Sequence, residues 1–463
     1  MPALISHSSA HAVVAYDQGR AIQAREYLAA VRHMAARLPA RGHVLNLCVN
    51  RYHFAVVMGA ALVRRQPLLL PSTRTPDILL QLRQSYADLH AVIDQPTQTC
   101  GLPHIDFDAG SSQAQATAFE IPQIADDQIA AYVFTSGSTG KPIPHAKHWG
   151  PLVCNALAEG MRVRQHLPAA TVTDDAEPAF VVTGTVPAQH MYGFESTVMM
   201  PLHNLAALDA GHPFYPADIA ASLQGTPAPR VLVSTPFHLR TLLESGVAVP
   251  ALALLTSATA PLAPQLASQA EQTLGAPLLE IYGSTETGQV ATRRTTAGDL
   301  WQTYDGIEIH EQASAGGERS FMASGGHVEG LVPLSDVLEL HSPTRFILLG
   351  RHTDMVNIAG KRTSLAHLTH HLNSIPGVTD GALYWPQNSN QDAQARTQRP
   401  IAFVVAPTLS EAELTRALRE RIDPAFMPRP VYFLPQLPRN HTGKLPQQAL
   451  ADLAQACKAT AHD

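Results

Sequence analysis

The chain has 463 residues, 45% hydrophobic and 15% charged, which is ample apolar material for a large buried core. Thirty-two Lys plus Arg against 38 Asp plus Glu give a formal charge of −6, so no basic field exists to hold nucleic acid or an anionic membrane. Cys48, Cys100, Cys154 and Cys457 are too far apart for a CxxC metal or redox spacing, and the longest apolar stretch, 54–63, is bounded by Arg51 and Arg64 and too short to cross a bilayer. Hydropathy then predicts a helix over 21–38, a strand at 44–49, a helix at 52–64, a strand at 67–70, a helix at 77–86 and a strand at 91–93. Such alternation implies a parallel sheet covered by helices. Residues 95–127, rich in Gln, Ala, Ser and Asp, read as a surface connection before a strand at 129–135. The rhythm resumes with strands at 179–183, 231–234, 252–256 and 278–282. Each ends in small or polar residues, at the carboxyl edge where ligands bind in open α/β sheets. After a strand at 346–349, GRHTDMVNIAGKR is polar and glycine-punctuated. Beyond it lies a smaller βαβ-like unit with strands near 381–385 and 401–405 and a solvent loop at 387–399. Two domains are expected, 1–350 and 351–463.

The strongest local signal is YVFTSGSTGKP at 132–142, an apolar strand running into Gly, Ser, Thr and one Lys. Gly137 and Gly140 permit close backbone approach, Thr135, Ser136, Ser138 and Thr139 offer hydroxyls, and Lys141 supplies charge, the pattern of a polyphosphate cradle. A Walker A loop needs Gly at 135 and Ser or Thr after the lysine; Thr135 and Pro142 stand there instead, and Pro142 argues against a helix starting at once. Lysine occurs at only five positions, 141, 147, 361, 444 and 458, in a chain that otherwise uses arginine, and four of the five fall in such motifs. His367, His370 and His371 have helical i, i+3, i+4 spacing; with 23 histidines in the chain, a solvated helix face is preferred to a Zn²⁺ clamp. The N-terminus MPALISHSSA has no cationic leader, so a cytoplasmic protein without stable membrane insertion is expected.

TSGSTGKP and IYGSTETG at 281–288 resemble motifs of the adenylate-forming superfamily of acyl- and aryl-CoA ligases, adenylation domains and luciferases. PAQHMYGFE at 187–195, TPFHLRTLL at 235–243, SATAPL at 257–262, Asp336, GRHTDMVNIAGKR at 350–362 and LPRNHTGK at 437–444 follow in the family's order. The resemblance implies an α/β fold: a large N-terminal domain of parallel and mixed sheets covered by helices, and a small mobile α+β C-terminal domain. It also implies a reaction in which a carboxylate attacks the α-phosphorus of ATP, pyrophosphate leaves, and the acyl group passes from AMP to a thiol. A carboxylate is already ionised at neutral pH, so alignment and charge stabilisation suffice. By the same resemblance Glu286 would hold Mg²⁺, Thr285 would donate to the α-phosphate and Lys444 would meet carboxylate and phosphate, with His190 also at the reacting centre. The nucleotide would contact the 135–141 loop, Ser257, Ala258, Thr259, Ala260, Tyr282 on the adenine, Gly283, Ser284, Asp336 on the ribose, and Arg351.

His190, Met191, Tyr192, Gly193 and Phe237 are the candidates for the acid pocket. A flat, partly aromatic wall suits an aryl acid. PIPHAKHW and GRHTDMVNIAGKRTSL are similar to ligases of aryl-polyene or xanthomonadin-type pigment clusters, which implies a hydroxybenzoate-like acid and an acyl carrier protein's phosphopantetheine, or else CoA, as acceptor. The alternatives are a non-catalytic nucleotide or acyl-adenylate binder, and an adenylating enzyme for a short-chain or amino acid. The chain departs from the family where Ile143 takes the place of a lysine, so that either Lys147 substitutes or that contact is absent, and where Thr353 beside Asp354 takes the pivot position.

Overall fold

The computed structural model describes residues 1–71, 73–96, 99, 101–110, 119–136, 142–167, 176–313, 319–351, 355–358, 361–386, 399–439 and 445–460. The N-terminal alternation folds as a six-stranded sheet in the order His104–Asp106, Leu89–Ile93, His43–Asn46, Leu68–Leu70, Ile129–Ser136, Pro142–His148. The first five run parallel and the last is antiparallel. Helix Arg51–Val63 is apolar on nearly every side because it packs between layers, and the Asn50 side chain caps it by accepting from the His53 amide. One expectation needs correcting: 95–127 is not all surface connection, since His104–Asp106 pairs with Leu89–Ile93 and closes the sheet edge.

An eleven-stranded sheet follows, in the order Asp336–Ser342, Arg345–Arg351, Leu300–Thr303, Gly288–Arg293, Leu278–Ser284, Leu254–Ser257, Arg230–Ser234, Val181–Gly184, Ala207–Asp209, Val13–Asp17, Arg20–Gln23. The six strands from Leu278–Ser284 to Val13–Asp17 are parallel and both flanks antiparallel. Strand alternation splits the core: Val231, Val233 and Leu254 face one layer with Phe180 and Ile281, while Leu232 and Leu255 face helices through Leu239, Leu242 and Leu266. Those helices, Pro236–Ser245 and Pro264–Leu274, open on a first-turn proline and stop at left-handed Gly246 and Gly275. A three-stranded meander, Ile307–Ala313, Arg319–Gly325, Val328–Leu334, packs beside the sheet's end.

The smaller C-terminal domain has its own core of Leu368, Leu372, Val404, Leu414, Leu418 and Phe426. Its βαβ unit is Ile401–Val405, helix Glu411–Arg419 and Val431–Phe433, with Asp380–Tyr384 antiparallel to the first strand. Helix Leu365–Asn373 carries His367, His370 and His371 half-buried rather than solvated: His367 and His371 share a 3.2 Å contact between Nε2 atoms, and burial lowers all three pKa values, that of His371 to about 4. The reason is tertiary, since the helix packs on strand Arg345–Arg351 near Asp299. Between the domains, Arg240 on helix Pro236–Ser245 lies 3.6 Å from Asp380, which also receives two hydrogen bonds from Arg439, at 2.8 and 2.7 Å.

Candidate active site

The phosphate-loop motif leaves strand Ile129–Ser136 and returns as Pro142–His148, with Thr135 opposite Ile143 and Ser136 opposite Pro142. Gly137, Ser138, Thr139, Gly140 and Lys141 lie outside the described residues, as does the side chain of Ser136. Thr135 Oγ1 shares a 2.9 Å hydrogen bond with His145 Nε2 on the returning strand, and that nitrogen is 3.6 Å from a Glu286 carboxylate oxygen. The two motifs, far apart in the sequence, therefore meet through His145.

Glu286 sits on the turn between strands Leu278–Ser284 and Gly288–Arg293. Ser284 and Thr287 lock that turn: the Ser284 amide donates to Thr287 Oγ1 at 3.1 Å and the Thr287 amide to Ser284 Oγ at 3.2 Å. Gly288 has φ +72°, and a Cβ there would come within 2.8 Å of a Glu195 oxygen. Gly283 and Ser284 are exposed, Thr285 is half-exposed, and the Glu286 side chain is 43% exposed. Tyr282, one turn back, packs its ring against Trp301 and Phe346 and donates its hydroxyl to Asp336 Oδ2 at 2.7 Å. Asp336 pairs in register with Arg351, whose side chain is outside the described residues. Ser257 and Ala258, at the end of the neighbouring parallel strand, are buried, and Ser257 Oγ makes no hydrogen bond among the described residues. Thr259 adopts φ +76°, a left-handed conformation unusual for a β-branched residue, and turns the chain toward Ala260.

The acid-pocket candidates divide. Tyr192 is buried with its hydroxyl 2.9 Å from Thr256 Oγ1, and burial raises its pKa. Gly193 has to be glycine, because a Cβ would lie 2.0 Å from the Pro187 carbonyl oxygen. His190, partly exposed, precedes the helical turn Met191–Phe194 and neighbours His212, which burial first and then nearby Arg51, His238, Arg74 and His190 push down to about 4. Phe237 packs with Phe214 and His238. Met191 points elsewhere, into a cavity behind the Glu286 turn lined also by Lys147, Asn155, Glu195 and His327.

Ile143 is half-exposed, whereas Lys147 is buried and donates to the Glu286 main-chain oxygen at 3.0 Å. Burial lowers its pKa against the opposing pull of Glu195, Glu329 and Glu286. Glu195 accepts from Asn155 Nδ2, and burial raises its carboxyl above the ordinary range against the pull of Lys147. Fully buried Glu159, near Ser196 and Gln289, is pushed up to about 7 by the same cause. Sequence reasoning missed His145, Asn155 and Glu195; Glu195 closes HMYGFE and His145 lies in PIPHAKHW, and only the fold brings them to Glu286. Lys444, Thr353 and Asp354 lie outside the described residues.

A family model described as "AMP-binding enzyme" matches residues 6–311, and one described as "AMP-binding enzyme C-terminal domain" matches 373–444. The chain belongs to the AMP-binding enzyme family. Among AMP-binding relatives, a 4-coumarate–CoA ligase of Rhodobacter capsulatus is 30% identical over 327 residues, 69% of this chain and 76% of that protein. A 3-hydroxybenzoate–CoA/4-hydroxybenzoate–CoA ligase of Thauera aromatica is 23% identical over 381 residues, covering 74% and 69%. The fold matches ATP-bound MatB from Rhodopseudomonas palustris with a TM-score of 0.77 at 18% identity, over 96% of both chains. It matches O-succinylbenzoate coenzyme A synthetase from Bacillus subtilis in complex with AMP with a TM-score of 0.74 at 20% identity, over 94% of both.

Proposed function

We propose that the chain is an AMP-forming acid–thiol ligase that converts a carboxylic acid to its acyl-AMP with release of pyrophosphate and then passes the acyl group to a thiol. The observation that carries this reading is the meeting of the phosphate-loop strand with the Glu286 turn through His145 and Lys147. Tyr282 and Asp336, from strands Leu278–Ser284 and Asp336–Ser342 and joined by their hydrogen bond, would flank a nucleoside: the ring would offer a face to the base and the carboxylate would accept from the ribose hydroxyls. Ser257 Oγ, buried and without a hydrogen bond among the described residues, would line the adenine edge. Among the described residues no group of three or more His, Cys, Asp or Glu forms a metal cage. The partly exposed Glu286 carboxylate suits Mg²⁺, a hard ion that takes one or two carboxylates and fills its remaining positions with phosphate oxygens and water. When bound, the ion would neutralise phosphate charge. Lys444 would meet the carboxylate and α-phosphate as they react, and Thr285 would donate to the phosphate.

The acid is proposed to be aryl and hydroxybenzoate-like, taken beside His190, Tyr192, Gly193 and Phe237, in a neighbourhood that also holds Phe214 and His238. Relatives named for 4-coumarate and hydroxybenzoates support this. The resemblance to pigment-cluster ligases supports a carrier-protein phosphopantetheine as acceptor, with CoA as the other thiol. Acid-dependent ATP–pyrophosphate exchange across aryl, short-chain and amino acids tests the first half-reaction, and product formation with CoA or a holo carrier protein tests the second. Exchange is expected with aryl acids and is expected to fall by about 100- to 1000-fold in Lys444→Ala, the usual loss for one well-aimed electrostatic contact, without loss of folding. Silence on every acid would leave a nucleotide-binding protein and end the proposal.

A further inference from the structure

One buried ammonium group, so far only one of two links between the phosphate-loop strand and the Glu286 turn, stands where three motifs meet. Strand Pro142–His148 returns from the phosphate loop as a sheet edge, and of its seven residues Lys147 is the one that is buried. Its Nζ reaches across to the second sheet and donates to the Glu286 main-chain oxygen at 3.0 Å. Glu195, the last residue of HMYGFE, supplies opposing charge and is itself held by Asn155. Gly288 lets that carboxylate close on the turn from the other side, since any Cβ would intrude on it at 2.8 Å. The turn's own Ser284–Thr287 bonds fix its shape but tie it to neither neighbouring motif.

We infer that Lys147 is a positioning residue that sets the Glu286 turn against strand Pro142–His148, through its hydrogen bond to the Glu286 carbonyl. The inference rests on the ligase reading. A lysine suits the task because a compact ammonium on a flexible stem can satisfy a carbonyl and a carboxylate at once, where a planar guanidinium would demand a fork of acceptors. The competing explanation is that Lys147 only neutralises Glu195 so that the interior folds.

The two explanations separate in Lys147→Met and in the double variant Lys147→Met/Glu195→Gln, which removes both charges. Binding of Mg²⁺ with a non-hydrolysable ATP analogue is measured by calorimetry, with thermal melting alongside, so the readout needs neither an acid nor turnover. Lys147→Met is expected to bind about 10- to 100-fold more weakly, the usual worth of one charge-assisted hydrogen bond. The double variant is expected to recover the parent's melting temperature and keep the weak binding. Recovery of both in the double variant, or parent-like binding in Lys147→Met, would overturn the positioning role while leaving the ligase reading intact. A parent protein that binds no Mg²⁺–nucleotide would overturn both.

Discussion

Two buried cations, Arg51 and Lys147, flank the segment that carries His190 and Tyr192, and they are held in different ways. Arg51 spreads its fork over main-chain acceptors: Asp209 O at 3.1 Å, Gly184 O at 3.0 Å, Val186 O at 2.9 Å and Gly211 O, with Nε on Thr197 Oγ1 at 2.9 Å. Burial lowers its pKa to about 10, with Asp209 as the nearby counter-charge. Lys147 instead faces carboxylates and touches the backbone at the Glu286 carbonyl. The planar group thus rivets three segments in one geometry, while the point charge joins motifs whose spacing matters for chemistry. A stability role and a binding role are therefore assigned by acceptor type rather than by burial.

The sharpest way to break the comparison is Arg51→Met. It strands four carbonyl oxygens and the Asp209 carboxylate, and should cost about 3 to 5 kcal/mol in denaturant unfolding. Arg51→Lys should restore only part of that; a loss below about 1 kcal/mol in the methionine variant would show that the rivet is not structural. A second test is pH. Glu159 has a folded value of about 7, above the ordinary 4.5, so the native state holds an extra proton through that window. Its contribution to stability is complete below the unfolded value and is lost as pH rises through 7. Melting should therefore decline from about pH 4.5 to 7 in the parent, and Glu159→Gln should flatten the decline by up to about 3 kcal/mol at the alkaline end. A variant as pH-sensitive as the parent would remove Glu159 as the source. The smallest effect is expected at the site's edge. Tyr282→Phe loses one part-buried hydrogen bond, so nucleotide affinity should weaken by about 0.5 to 1.5 kcal/mol with melting unchanged. No change in affinity would detach the Tyr282–Asp336 pair from nucleotide binding.

The helices and parallel strands were legible because each is a short apolar run bounded by Gly, Pro or polar turns, and the motifs at their carboxyl ends marked the site. Strand Pro142–His148 was not, since PIPHAKH contains two prolines and a row of polar residues; only an edge position, where one side of the backbone needs no partner, accommodates it. The meander from 307 to 334 was missed for a related reason: one face is solvated, so its apolar content is too sparse to announce strands. Arg51 was read as the polar boundary of an apolar stretch, alongside Arg64. The structure separates them, leaving Arg64 exposed and Arg51 1% exposed, because the acceptors that make Arg51 burial tolerable come from residues 184–211. Glu195 and Lys147 pose the same difficulty. Each is an ordinary charge until the chain has folded around it.

Asp380 carries one last consequence. It meets Arg439 with two teeth at 2.7 and 2.8 Å, whereas Arg240 across the junction approaches it at 3.6 Å. Any torque that separates the two bodies would part the looser clasp first and leave the tighter one shut. Pro438 and Arg439 would then stay with the smaller body, held there through Asp380.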